Sequence, residues 1–373
     1  MLQITSITLR EIRLPLREPF TISSGTMHDR RIALLELHDA SGASAWSECV
    51  ADDLPNYTSE TVDTAWLAIS RWIAPRILGR QFTAPGAVFA VLEEDFRGHL
   101  MAKAAVEMGM WGVEATRVGV SLSRLIGGTR ATIPVGISIG IQPSPAHLVE
   151  KVRAALAEGY RKIKLKIMPG KDVEYVRAVR TAFPDAPLMA DANNAYTIDD
   201  ASALIAMDSF GLMMFEQPLA WEDIVRHASL QKLLKTPICL DESITSLDRA
   251  QDMVTLDAGR LINIKPGRVG GFAESLAIHD FCEANGVPVW CGGMLESGIG
   301  RAYNVALASL SNFLKPGDLS PSARYWAQDI VTPEWTMSAD GMVTVPVNSP
   351  GIGVTVNVDR IDNLTVRSET LQG

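Results

Sequence analysis

The rhythm of apolar and polar positions changes twice along the chain, and each change predicts a different kind of structure. Residues 1 to about 50 alternate between the two classes, as in MLQITSITLREIRLPL, the period-two pattern of antiparallel strands. In RIALLELHDASGASAWSECV two apolar-rich runs flank Asp39-Ala40-Ser41-Gly42, which predicts a hairpin turn. From about Ser59 to Gly127 the period becomes helical. SETVDTAWLAISRWIAPRIL opens with Ser59 and Glu60 and sets Ala65, Trp66, Ile69, Trp72 and Ile73 at helical spacing. HLMAKAAVEMGMWGVEATRVGV predicts a second, strongly apolar helix, and Gly127-Gly128 ends the run. From Thr132 short runs rich in Ile, Val, Leu and Met alternate with helix-like segments. The runs are TIPVGISIG, RKIKLKI, APLMADAN, GLMMFEQP, TPICLDES, RLINIKPG and VPVWCGG, the pattern of a parallel sheet covered by helices.

The spacing of these runs is more informative than their composition. Lys166, Asp191, Glu216, Asp241, Lys265 and Trp290 stand at or near the ends of successive runs, 25 residues apart except for 24 between Asp241 and Lys265. A period near 25 fits one strand, one helix and two loops, so about eight units fill roughly 200 residues, the lower end for a (β/α)8 barrel. The predicted fold is α/β: a TIM-like, (β/α)8-type barrel with an N-terminal α+β unit. Residues 1–127 form that unit, 128–320 the barrel with the active site, and 321–373 a segment returning to the N-terminal unit. That last segment, with DGMVTVPVNSPGIGVTV, has strand and turn character. A doubly wound open sheet does not favour so even a spacing, and its GxGxxG and GxxxxGK[ST] phosphate loops are both absent.

Composition narrows the partners. Of 373 residues, 47% are hydrophobic and 21% charged, which excludes a mainly disordered chain. Lys plus Arg is 34 against 43 for Asp plus Glu, and no basic block occurs, so neither nucleic acid nor an anionic membrane is an expected partner. Cys49, Cys239, Cys282 and Cys291 form no CxxC pair, which argues against disulfides and structural zinc and for a reducing cytoplasm. The N-terminus reads as a strand rather than a signal peptide, and no run of about 20 apolar residues is present. A cytoplasmic protein is expected.

Strand ends at the C-terminal face of a barrel converge on one pocket. Asp191, Glu216 and Asp241 then become three carboxylates at one focus, which repel one another unless a cation sits between them. Hard oxygen ligands without His or Cys select Mg2+ or Mn2+, and nothing calls for an organic cofactor. Lys164 and Lys166, two apart in KIKLKI, share the inward face of their strand, while Ile163, Leu165 and Ile167 take the other. Lys265 comes from the opposite side of the barrel mouth, with Arg268 three residues on. A metal flanked by two amines suits removal of a proton next to a carboxylate, because the metal stabilises the resulting enediolate and lysine serves as base when neighbouring cations lower its pKa. Two other classes remain open on these residues. One is a Schiff-base aldolase with Lys166 or Lys265 as nucleophile; the other is a barrel that only binds a small carboxylate.

The ordered motifs KxK (Lys164, Lys166), DAN (Asp191, Asn193), EQP (Glu216), DES (Asp241, Glu242) and IKPGRVGG (Lys265) resemble those of the enolase superfamily, muconate-lactonizing subgroup, over nearly the whole chain. LKIMPG, DANNAYT, FEQPLAW, CLDES, WCGGMLESGIGRA and GDLSPSARYW most resemble its o-succinylbenzoate synthase and N-succinylamino acid racemase branch. The resemblance implies metal binding by Asp191, Glu216 and Asp241, and acid/base chemistry by Lys166 and Lys265. Lys164, Asn193, Glu242 and Arg268 are the expected supporting residues. It also implies that the barrel is of the (β/α)7β form with the N-terminal α+β unit as its capping domain, that the chain forms a homo-oligomer, and that cap loops choose the substrate through residues such as Ser23 and Tyr57. Cycloisomerisation and dipeptide epimerisation are the neighbouring activities. Dipeptide epimerases typically carry Asp-x-Asp where this chain has Asp318-Leu319-Ser320. Met168 and Pro266-Gly267 depart from common family residues beside the site.

Ser138 on the first barrel strand and Gly292, Gly293, Met294 and Glu296 in WCGGMLESG complete the expected substrate contacts, the glycines by allowing close backbone approach. His279 is expected to be a surface or packed residue rather than a base. Trp221, Trp290 and Met213-Met214 are expected to be packing residues.

Overall fold

The computed structural model describes residues 1–373. In the cap, strands β1 (Leu2–Ile22), β2 (Gly25–Asp39) and β3 (Ser44–Cys49) run antiparallel in order. The turn after β2 is the one predicted: Asp39 Oδ1 accepts from Ser41 N at 2.8 Å, and Gly42 takes φ 88°. Helices α1 (Val62–Ala68) and α2 (Leu100–Arg117) pack on this sheet around Leu9, Leu35, Ala65, Ile69, Val106 and Val113. Thr61, rather than Ser59, caps α1. Glu60 instead reaches α2, where its carboxylate accepts from Met101 N and Ala102 N at 2.8 and 3.1 Å. Trp72, expected on the apolar face, is 43% exposed. A wider π turn over Ile69–Ile73 follows α1 and shifts the face, keeping Ile69 and Ile73 inside and turning Trp72 out.

Seven parallel strands follow in sequence order: β4 (Ile137–Ile139), β5 (Ile163–Lys166), β6 (Leu188–Asp191), β7 (Phe215–Glu216), β8 (Ile238–Leu240), β9 (Leu261–Ile264) and β10 (Val289–Cys291). Between them run α3 (Pro145–Ala157), α4 (Val173–Ala182), α5 (Ala201–Met207), α6 (Val225–Gln231), α7 (Leu247–Leu256) and α8 (Phe272–Ala284), with α9 (Gly298–Ala308) after β10. The ring closes through a segment with no apolar run of its own. Phe313 bridges Val289 and Gly317 bridges Val135, both parallel, with Asp318 N donating to Cys291 O at 2.9 Å. The fold is therefore a (β/α)7β barrel under an N-terminal cap.

Two details differ from expectation. TIPVGISIG is not one strand: Thr132–Pro134 pairs antiparallel with Met342–Thr344, and only Ile137–Ile139 joins the barrel. Much of the DGMVTVPV stretch thus packs on the barrel and not on the cap. It is the final strand, β11 (Thr365–Gln372), that adds an outer antiparallel strand to β1. No helix is long and apolar enough to cross a membrane.

Two buried cap carboxylates fasten cap to barrel at helix N-termini, where main-chain N–H groups lack partners of their own. Glu48 of β3 accepts from Ser297 N, Ser297 Oγ and Gly300 N at the start of α9. Glu107 of α2 accepts from Phe272 N at 2.7 Å and Ala273 N at 3.0 Å at the start of α8. These helices follow the strands that carry Lys265 and the WCGG loop. The cap thereby holds the segments that bear the candidate chemistry.

Candidate active site

Alternation along β5 turns Ile163 and Leu165 outward into the helix layer and brings Lys162, Lys164 and Lys166 to the inner face. Lys166 Nζ lies 2.6 Å from Asp191 Oδ2 and 2.5 Å from Asn193 Oδ1. Asn193 takes φ 42°, a left-handed turn that lets its own N–H donate to Asp191 Oδ1 at 3.0 Å while its amide donates to Glu242 Oε1 at 3.1 Å. Lys164 Nζ is 3.1 Å from both Asp191 and Glu216 and 2.5 Å from Asp318. Asn263 Nδ2 donates to the other oxygen of Glu216 at 2.7 Å.

Across the mouth, Lys265 Nζ donates to Asp241 Oδ2 at 2.8 Å and to the hydroxyl of Tyr57 at 3.0 Å. Arg268 pairs with Asp241 Oδ1 and is fixed by Ile244 O and Asn263 O, at 2.7 and 2.6 Å. Gln217, from EQP, ties the strand ends together. Its carbonyl accepts from Asp241 N at 3.0 Å and Ser243 N at 3.3 Å, and its amide donates to Ser243 Oγ at 2.6 Å.

These groups are shut away from water. Asp191, Glu216 and Asp241 are each at most 1% exposed. Burial pushes Glu216 up to about 8, with Asp191 adding repulsion, and pushes Glu242 up to about 7, with Asp241 adding repulsion. Burial also opposes ionisation of Asp191 and Asp241, but Lys166 and Lys164 hold the first below the usual carboxylate range, and Lys265 and Arg268 the second. Lys265 stays well above the ordinary lysine value: burial opposes its charge, yet Asp241, Tyr57 and Glu242 outweigh burial. Neighbouring cations alone therefore do not make Lys265 a ready base, because its carboxylate partner acts more strongly.

The donor set suits a hard divalent cation: Asp191, Glu216 and Asp241 offer only oxygens from adjacent strand ends, and the neighbouring Glu242 Oε2 is buried without a partner. Their oxygens are turned to Lys164, Lys166, Lys265 and Arg268 rather than gathered on one point.

The expected substrate contacts fall into different environments. Ser138, in register with Lys164, is buried with its hydroxyl unpartnered. Tyr57 reaches the site, while Ser23 Oγ donates to Asn193 O at 3.1 Å. A Cβ on Gly292 would come within 2.6 Å of Asn263 and Lys265 side-chain atoms, so that glycine makes room for the lysine stem. On Gly293 it would meet Asp318 O at 2.7 Å. Met294 packs against the cap core. Glu296 Oε1 accepts from Met294 N at 2.8 Å in its own loop and from Asn304 Nδ2 of α9 at 2.7 Å, while its Oε2 is buried without a hydrogen-bond partner. His279 is packed, its Nε2 accepting from Asn312 N at 3.1 Å. Trp221, expected to be buried, is 47% exposed and lines a cavity of about 110 Å³ with Tyr57, Glu242 and Arg268. Gly267 packs beneath Val50 of the cap, where any Cβ would lie 2.3 Å from Val50 Cγ2.

Sequence reasoning passed over Lys162, Gln217, Asn263 and Asp318. The two-residue period that singled out Lys164 and Lys166 also reaches Lys162. Asp318 carried no signal beyond an absent second Asp.

The chain is similar to known proteins over nearly its whole length. Residues 147–360 match the family model described as enolase C-terminal domain-like, and residues 4–127 match the N-terminal domain of mandelate racemase / muconate lactonizing enzyme. An o-succinylbenzoate synthase from Geobacillus kaustophilus is 49% identical over 98% of this chain and 96% of its own. An N-succinylamino acid racemase from Thermus thermophilus is 44% identical over 98% of each. A crystal structure of an enolase superfamily member from Listeria innocua superposes with a TM-score of 0.96 at 40% identity, covering 100% of both chains.

Proposed function

The chain belongs to the enolase superfamily, and from that premise we propose that it removes a proton α to a carboxylate with the aid of Mg2+ or Mn2+, acting as an o-succinylbenzoate synthase, an N-succinylamino acid racemase, or both. The observation that carries this reading is the pair Lys166 and Lys265, on the second and sixth barrel strands, each bonded to a carboxylate of the buried acid cluster.

In this reading Asp191, Glu216 and Asp241 hold the metal. When bound, the metal stabilises the negative charge that develops on the substrate carboxylate oxygens. Lys166 and Lys265 hold or move the proton at the α-carbon, one from each face. For dehydration Lys166 takes the proton and Lys265 steadies the planar intermediate; for racemisation both exchange it. Asn193 and Arg268 orient the lysines and Asp241, and Glu242 anchors Asn193. Ser138 and Tyr57 border the space for substrate.

Asp318 is already engaged by two lysines, which disfavours recognition of a free α-ammonium.

We further propose a cytoplasmic location, which the four free buried cysteines fit, and assembly as a homo-oligomer. The test assays purified protein with the synthase precursor and with N-succinyl amino acids, before and after chelation, beside light scattering for assembly size. Turnover of neither substrate, or full turnover without metal, refutes it.

A further inference from the structure

One buried ion pair has no part in the chemistry above. Lys162 is fully buried within the barrel, its Nζ 3.0 Å from Asp318 Oδ1 and 3.4 Å from the centroid of the Trp290 ring. The other oxygen of Asp318 lies 2.5 Å from Lys164 Nζ, whereas Asp191 and Glu216 each lie 3.1 Å from that nitrogen. Lys164 is thus shared among three carboxylates, and its shortest contact is to the one outside the proposed metal set. Asp318 is fixed in place by its backbone: its N–H donates to Cys291 O at 2.9 Å, and its carbonyl accepts from Arg301 Nη1 at 3.2 Å.

We infer that Asp318 is a positioning residue that draws the Lys164 ammonium away from Asp191 and Glu216 and so leaves those carboxylates for a divalent cation. This rests on the metal reading proposed above. An ammonium held only by Asp191 and Glu216 competes directly with a metal for the same oxygens. With Asp318 in place, Lys164 keeps a counter-charge when the metal arrives. Lys162 pairs in charge with the remaining oxygen of Asp318, and the electron-rich face of Trp290 lies against the Lys162 ammonium, so the arrangement carries no uncompensated buried charge.

The experiment measures Mn2+ binding by calorimetry without substrate, so that turnover does not enter. Asp318→Asn should weaken binding by about 10–100-fold, the usual cost of losing a residue that orients a metal ligand's surroundings. Simple loss of a negative charge also weakens a cation site, so the deciding variant is Lys162→Met/Asp318→Asn, which keeps the wild-type net charge. It should remain as weak as Asp318→Asn, because Lys164 still lacks its partner. Return to wild-type affinity in the double variant overturns the inference, as does wild-type affinity in Asp318→Asn. Unfolding midpoints report whether each variant folds. Lys162→Met alone retains Asp318 and should bind Mn2+ at least as tightly as wild type; weaker binding there also overturns it. A wild-type chain that binds no Mn2+ overturns the metal reading itself, whereas normal wild-type binding with unaffected variants overturns only the role of Asp318.

Discussion

Replacing Glu107 with alanine tests the grip of the cap on the barrel. The Glu107 side chain is fully buried and accepts from Phe272 N, Ala273 N and Trp111 Nε1 at 2.7, 3.0 and 2.7 Å. Gly271 makes space for it: a Cβ there would sit 2.3 Å from Glu107 Oε2, and φ 124° suits glycine. In Glu107→Ala the buried Phe272 N–H and the half-buried Ala273 N–H lose their acceptor, at roughly 1–3 kcal/mol for the first and less for the second, which gives an expected destabilisation of about 3 kcal/mol. The loss should depend on pH. Burial pushes the Glu107 carboxyl from 4.5 up to about 7, against the opposing pull of its three donors. The folded state then binds a proton that the unfolded state has released, so wild-type stability falls as pH rises from about 4.5 to about 7 and levels off above. That gap corresponds to roughly 3 kcal/mol at most. Urea unfolding at pH 5.5 and pH 8 should therefore show a larger penalty for the variant at the lower pH. A penalty below about 1 kcal/mol at both, or one that grows with pH, refutes the reasoning. Because α8 begins shortly after Lys265, kcat should fall while Mn2+ affinity is retained.

Chelation should abolish turnover, and Mg2+ or Mn2+ should restore it. Asp241→Asn should weaken metal binding and also destabilise the metal-free protein by about 3–5 kcal/mol, since it strands Lys265 and Arg268 as buried cations; unchanged melting would count against the ion-pair geometry. Lys166→Ala and Lys265→Ala should each stop racemisation, with losses of about 10²–10⁴-fold or more, yet each should exchange the α-proton of one enantiomer with solvent deuterium. The enantiomer should differ between them, and exchange of the same one by both would mean the lysines do not face each other across the substrate. Exchanging the loops around Ser23 and Tyr57 should alter relative kcat/KM among N-acyl amino acids and leave metal affinity nearly unchanged, whereas equal losses for every substrate would indicate a folding role.

What the sequence reveals about this protein follows from periodicity. A 25-residue repeat of apolar runs ending in Lys166, Asp191, Glu216, Asp241 and Lys265 leads to a barrel and to one focus, because strand ends in that architecture converge. Local alternation further places Lys164 beside Lys166. Elements without a period are harder to read. The segment that closes the barrel, around Phe313 to Asp318, has no apolar run, since it pairs by single bridges on each side. Thr132–Pro134 continues an apolar run into the barrel but finds its partner in Met342–Thr344, more than 200 residues away. Trp221 has the composition of a core residue and the position of a rim residue.

The buried carboxylates explain the remainder. Glu48 and Glu107 are single acids among apolar residues that a sequence offers no reason to bury, and Glu60 reads as part of a helix opening. Each is instead an acceptor for main-chain N–H groups at the start of a distant helix. Main-chain donors leave no trace in residue type, so no motif announces these pairings. The cluster at the barrel mouth shows a related effect. Three carboxylates alone at one focus would call for a cation. In the folded chain Asp241 already faces Lys265 and Arg268, while Asp191 faces Lys164 and Lys166. The need for a metal therefore cannot be derived from repulsion among the acids. In the proposed reaction it comes from the chemistry: side-chain cations balance the resting carboxylates, but a proton leaving the α-carbon would put new negative charge on substrate oxygens, and lysines engaged in moving that proton would not be free to stabilise that charge.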